Sequence, residues 1–277
     1  MPITQMHRTC SSDRCLTCKV HHLGFCSWFE PNESARIVAR LRQTRFAVGE
    51  PILRQGEAVE RIGIILSGLV KIVLNDADGE EHLIQLLHTG ALVGDPFASE
   101  CAFSWEAATE AEICWIVPST LAAAVSECPT AYRHQLDATM RLVQEQRFAQ
   151  VALRGRSALQ RVAHWLFLQI PAEPTPSPVR LRILLTRRDL ASLLEMTIET
   201  LCRVLHQLED KGAIWLSAPD LVELRDRARL KQLGRGRDER LQETILKDGW
   251  EWGARPVVQR PLALAKPGRN LPVGAFL

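Results

Sequence analysis

The sequence predicts an α+β chain: an N-terminal β-roll of the jelly-roll kind, a long helix suited to dimerisation, and a C-terminal winged helix-turn-helix. Three observations predict it. Between Thr44 and Pro118, short apolar runs such as "RIGIIL", "LVKIVL" and "HLIQLL" are broken by glycines at 49, 56, 63, 68, 79, 90 and 94, the texture of many short strands joined by turns. From Pro129 to Gly155 the apolar residues fall at helical spacing. Beyond Thr186, two short capped helices precede two apolar runs joined across "APD".

Bulk properties narrow the function. The chain has 277 residues, 46% of them apolar and 24% charged, as expected of a globular protein. No apolar run approaches the ~18 residues that mark a transmembrane helix. The opening "MPITQMHRTCSSDRC" has no apolar stretch of the secretory kind. A cytoplasmic protein is therefore expected, where thiols stay reduced and clustered cysteines favour metal or redox chemistry over a disulfide framework. Charge is uneven: Phe46–Tyr132 holds three Lys/Arg against thirteen Asp/Glu, whereas Arg133–Arg188 holds ten against three. An acidic front and a basic back suggest two modules, the second facing a polyanion.

The elements follow in order. The first 30 residues hold four of the eight cysteines. "ESARIVARL" reads as a short helix, with Ala35, Val38, Ala39 and Leu41 near helical spacing. "NDADGEE" reads as a hairpin turn between two strands. In "PTAYRHQLDATMRLVQEQRFAQVALRG", Pro129 suits a helix start and Gly155 a stop. Leu136, Met140 and Val143 lie at i, i+4, i+7 and form a candidate dimer seam, diluted further on by Gln146, Arg147 and Gln150. A second helix starts at Ser157, and "PAEPTPSP" is a proline-rich connector. Thr186 and Asp189 make a Thr-x-x-Asp helix start. Thr197 caps the next helix, which stops at Gly212. "AIWLS" and "LVEL" then form a hairpin, completing a winged helix-turn-helix. From residue 235 the tail has no sustained pattern and is expected to be disordered.

At ~100° per residue, Glu199, Cys202, Arg203 and His206 share one face of the second helix and Leu201, Val204, Leu205 and Leu208 the other. Arg can donate two hydrogen bonds to guanine and Glu can accept from cytosine N4. Such a helix suits the DNA major groove.

The stretch "CLTCKVHHLGFC" leaves two metal readings open. Zinc would accept Cys15, Cys18, Cys26 and His21 or His22 in a tetrahedral set. An iron–sulfur site wants four thiolates, the fourth from elsewhere in the chain.

The block "LTRRDLASLLEMTIETLCRVLHQLEDKGAI", with "ILRQGE", "GIILSGLVKIVL" and "GALVGD", resembles the Crp–Fnr superfamily of bacterial transcription regulators over Cys10–Leu233, and the cysteines resemble its oxygen-sensing Fnr branch. The resemblance implies five parts: a cluster-binding segment (1–30), a cyclic-nucleotide-binding-like β-roll (31–128), a dimerisation helix (129–155), a winged helix-turn-helix (156–234) and a tail (235–277). It implies one [4Fe–4S] cluster per subunit on Cys15, Cys18, Cys26 and Cys114, with Cys10 spare and Cys101 a rival fourth ligand. It also implies DNA contacts from Thr197, Glu199, Cys202 and Arg203, with Arg187 alongside, a homodimer on a two-fold site with TTGAT-like halves, and RNA polymerase as a partner. Cys202 replaces the branch's serine, and Glu195 its turn glycine. Cyclic-nucleotide binding is not expected, because no Arg or Lys follows Lys71 before Arg133 to hold the phosphate charge. The function expected is an oxygen-responsive DNA-binding regulator, with nitric oxide as a second candidate signal, and not an enzyme. A zinc-bound or cluster-less regulator, or an iron–sulfur electron-transfer protein, are the alternatives.

Overall fold

The computed structural model describes residues 8–9, 18, 20, 23–29, 40–78, 81–170, 179–236 and 258–259. Cys10, Cys15, His21, His22 and nearly all of the helix expected over "ESARIVARL" lie outside the described residues, as does most of the tail.

The roll is two facing antiparallel sheets. One has the strand order β1 (Arg8–Thr9), β2 (Arg42–Phe46), β9 (Ala111–Ile116), β4 (Ile62–Ser67), β7 (Leu92–Val93); the other runs β3 (Pro51–Leu53), β8 (Ser104–Ala107), β5 (Val70–Asn75), β6 (Glu81–Leu87). β5 and β6 pair across the "NDADGEE" turn as expected. Side chains alternate across each strand, so β9 sends Ile113 and Trp115 between the sheets and Cys114 and Ile116 to the outer face. Both faces of β4 and β9 are covered, and this is why "IGIIL" and "ICWI" read as unbroken apolar runs rather than alternating ones. Gly63 is needed in this sandwich, since a Cβ there would meet Ile113 at 2.5 Å. The interior is filled by Phe46, Ile65, Trp105, Ile113, Trp115 and their neighbours.

The outer face of β9 and β4 is covered by three elements. Two are helices, α1 (Pro118–Glu127) and the start of α2 (Pro129–Leu153); the third is a 3-10 turn, Gly24–Trp28. The 3-10 turn also packs on α2. The sequence reading ended the run of strands at Pro118 and assigned no helix between there and Pro129. Pro118 instead occupies the first helical turn of α1, where its missing N–H costs nothing.

The third core belongs to the C-terminal unit. Helix α3 (Ala158–Gln169) begins with a capping box in which Ser157 and Gln160 bond reciprocally. Helix α4 (Arg187–Leu193) is capped by Thr186 and helix α5 (Ile198–Asp210) by Thr197. Gly212, at φ +67°, ends α5 in the left-handed region that glycine tolerates. The wing pairs β11 (Ile214–Ala218) with β12 (Leu221–Leu224). Two elements had no sequence expectation: β10 (Arg180–Ile183), which adds a third strand to the wing sheet, and α6 (Arg227–Leu233). In the tail, β13 (Val258–Gln259) pairs with β10.

The C-terminal core includes Leu69 of the roll, so the two units share buried surface. A charged clasp reinforces this contact. Lys71 on β5 lies 3.0 Å from Glu81, 3.0 Å from Glu106 and 3.2 Å from Asp189 at the start of α4. The backbone N–H of Leu83 donates to the Ser192 hydroxyl at 3.1 Å.

Candidate functional site

Helix α5 is amphipathic in the way the sequence requires. Leu201, Val204, Leu205 and Leu208 are buried, while Glu199, Arg203 and His206 are exposed and Cys202 is half-buried. The Thr197 hydroxyl accepts from the Thr200 backbone N–H, fixing the entry of the helix. The Glu199 carboxyl is held below the usual carboxylate range by its own backbone N–H and by the Thr197 hydroxyl, so it stands ready as an ionised acceptor. Among the described residues Arg203 reaches only the Thr200 hydroxyl, at 3.4 Å, and can turn outward. Ile198, an exposed apolar side chain on the first turn of α5, was not picked out by sequence reasoning. Its type fits a thymine methyl, and only its exposure signals it.

Arg187 is placed differently from the open faces of α5. Its guanidinium donates to the Pro219 carbonyl in the wing turn, so it ties α4 to the wing. The turn between α4 and α5 carries Glu195 at φ +52°, the one described non-glycine residue with positive φ, as expected where glycine is replaced.

Apart from Cys202 on α5, the described cysteines divide between two layers. Cys114 is buried at the centre of its sheet, opposite Gln43 on β2 and Ile64 on β4. Its side chain joins Phe25, Phe29, Leu121 and Val125, and Cys18 and Cys26 pack against the same layer. Cys101 sits in the other layer, between the sheets. Burial, and secondarily the Glu57 charge, push its thiol up, which disfavours the thiolate a metal needs. Cys128, just before α2, also joins the layer of Cys114, with its sulfur 3.1 Å from the Thr130 hydroxyl. Spacing along the chain gives no signal for this placement. Among the described residues no three His, Cys, Asp or Glu side chains are grouped closely enough to hold a metal ion, so Cys18, Cys26 and Cys114 share a layer without forming a closed ligand set; cysteine sulfur is the donor type an iron–sulfur group takes.

On α2, Leu136, Met140 and Val143 are 56%, 47% and 37% exposed, with Tyr132 and Leu142 beside them. They form an apolar stripe on a 25-residue helix. No helix among the described residues is long and apolar enough to cross a membrane.

Comparison with known proteins agrees with this architecture. Residues 160–233 match the Crp-like helix-turn-helix domain and residues 43–127 the cyclic nucleotide-binding domain. The chain belongs to the Crp–Fnr superfamily of transcription regulators. It is 28% identical over 218 residues to a probable transcriptional activator of Rhizobium leguminosarum bv. viciae, covering 76% of this chain and 91% of that one. To the transcriptional activator protein FnrL of Cereibacter sphaeroides it is 22% identical, over 78% of this chain and 90% of that one. The solved structure of FixK2 from Bradyrhizobium japonicum superposes with a TM-score of 0.61 at 22% identity, covering 70% of this chain and 97% of that one. Its relatives are regulators and not enzymes.

For a regulator of this superfamily, the exposed face of α5 makes a definite prediction. Arg203→Ala is expected to weaken binding to the preferred duplex by about 1–3 kcal/mol and to relax the base pair it reads. Cys202→Ser is expected to shift preference at one neighbouring base pair. Binding-site selection from a random pool measures both. An equal loss by Arg203→Ala on preferred and random duplexes would make it a phosphate contact instead.

Proposed function

We propose that this regulator is of the Fnr type: a cytoplasmic, oxygen-responsive homodimer that binds a two-fold TTGAT-like site and engages RNA polymerase. A [4Fe–4S] cluster would be held in each subunit by Cys15, Cys18, Cys26 and Cys114. The observation that carries the reading is the shared layer of Cys18, Cys26 and Cys114 beneath the start of α2. When bound, the cluster supplies an oxygen-labile bond between the N-terminal segment and β9. The chain's own residues do the rest. The 3-10 turn that bears Cys26 packs on α2, so ordering that turn against Cys114 bears directly on the dimer helix.

Cyclic-nucleotide control is not part of this reading. The space between the sheets is occupied by Trp105, Trp115 and their apolar neighbours, and Lys71 is engaged by three carboxylates. An anionic phosphate would meet buried apolar groups with no spare cation in the stretch after Lys71.

Anaerobic purification with iron and sulfide analysis tests the proposal. Brown protein that bleaches in air, with iron and labile sulfide in equal amounts, is expected. Colourless protein carrying zinc would overturn it. Cys15→Ala, Cys18→Ala, Cys26→Ala and Cys114→Ala are each expected to lose the iron, while Cys10→Ala and Cys101→Ala retain it. Retention in Cys114→Ala with loss in Cys128→Ala or Cys101→Ala would reassign the fourth ligand.

A further inference from the structure

We infer that Arg161, on α3, is a positioning residue for DNA recognition that acts through the α4–α5 turn; the inference rests on α5 being the helix that reads DNA. Arg161 lies on α3, outside the α4–α5 pair, and none of its atoms belongs to the exposed face of α5. Its Nη1 donates to the Leu194 carbonyl at 2.7 Å and to the Glu195 carbonyl at 2.9 Å. The same nitrogen lies 3.6 Å from the Glu195 carboxylate. The two carbonyls are at the end of α4, where backbone oxygens lack helical partners and the helix dipole favours a cation.

The turn needs this support in this chain. Glu195 takes a left-handed backbone, φ +52°, which a side chain disfavours and glycine does not. The backbone around it closes by short bonds, Glu195 N–H to the Ser192 carbonyl and Met196 N–H to the Ala191 carbonyl, each at 3.0 Å. Thr197, the cap of α5, comes two residues after Glu195. Any change in the turn therefore moves Thr197, Glu199 and Arg203 together. Arg161 holds both the backbone of the strained residue and its side chain, and so offsets the absence of glycine there.

The test uses the anaerobically purified full-length chain, a duplex enriched by the wild type from a random pool, and a scrambled duplex of equal length. Arg161→Met is expected to lower the preferred-to-scrambled affinity ratio by roughly tenfold, about what one good base contact supplies. A purely structural loss reduces the active fraction and lowers both affinities alike, leaving the ratio unchanged. Adding Glu195→Gly to Arg161→Met is expected to restore most of the ratio, because glycine adopts the turn without being held. An unchanged ratio in Arg161→Met overturns the inference, and so does a lowered ratio that Glu195→Gly fails to raise. A wild type that enriches no sequence at all would instead overturn the assignment of α5 as the reading helix.

Discussion

Lys71→Met is expected to destabilise the protein by about 3–5 kcal/mol, the usual result of removing one partner from a buried ionic cluster. Lys71 is 8% exposed at its side chain and, among the described residues, is the one cation between Glu81, Glu106 and Asp189. Without it three carboxylates face one another, and Asp189, 9% exposed, has little water to turn to. Methionine fills the same volume, so the change reads the charge and not a cavity. Glu81 and Glu106 are 29% and 23% exposed, and relaxation of these two towards water places the expected value at the lower end of the range. Asp189→Asn added to Lys71→Met is expected to recover part of the loss, because it removes the most deeply buried of the repelling charges. Denaturant midpoints at constant slope measure both. A loss under about 1 kcal/mol, the scale of surface pairs, would show that the clasp does not hold the two units together.

The pH dependence of the same difference has a definite sign. The carboxylates that bond Lys71 outweigh its burial and raise its pKa above the ordinary lysine value. A cation with a raised folded-state pKa contributes its full stability below the unfolded value, about 10.4 for lysine, and loses it as the pH climbs through the folded value. The stability gap between wild type and Lys71→Met is therefore expected to stay constant on the alkaline side of neutrality up to about pH 10 and to shrink only beyond it. A gap that closes between neutrality and pH 9 would assign the stabilisation to some other group.

Local signals in the sequence found what local forces build. The caps Thr186 and Thr197, the stop at Gly212 and the β5–β6 turn are contests between neighbours in the chain, and each stands as the spacing requires. The split of α5 into a buried and an exposed face was equally readable, because one period decides it. Elements whose pattern is shared by two structures were harder. "VRLRI" alternates like a strand but precedes a capped helix, and its place as β10 depends on pairing with Leu221–Glu223 some 40 residues on. The Lys71–Asp189 contact spans 118 positions and has no local signature at all. Arg187 shows the limit for long side chains: its position beside α5 was legible, but its reach to Pro219 depends on the folded wing. Among the cysteines, alternation along β9 explains why Cys114 faces the N-terminal segment, whereas Cys128 shares that layer through a helix start that spacing alone does not reveal.

Cluster-loaded protein is expected to sediment as a dimer and air-exposed protein as a monomer. On the proposed reading, the seam on α2 would keep that balance close. Leu136, Met140 and Val143 are apolar and exposed, but Gln146, Arg147 and Gln150 follow them, so only the first half of the helix offers good knobs for a partner. A pairing surface of that size stabilises a dimer modestly, and a modest input shifts it. The input arrives at the right end of the helix. The Gly24–Trp28 turn packs on α2, and Phe25, Cys114, Cys128 and Ala131 share one buried layer at its start. A bond from Cys18 and Cys26 to Cys114 would hold that turn in place and restrain α2 where its exposed stripe begins. On the proposed reading, losing the dimer would separate two recognition helices that bind a two-fold site together, and the gain from simultaneous engagement would go with it. Leu136→Glu is expected to give a monomer in both samples, because a carboxylate in the seam cannot be buried without a partner. Equal dimer strength in loaded and air-exposed wild type would instead require a permanent dimer in which oxygen reorients the DNA-binding units about a fixed seam.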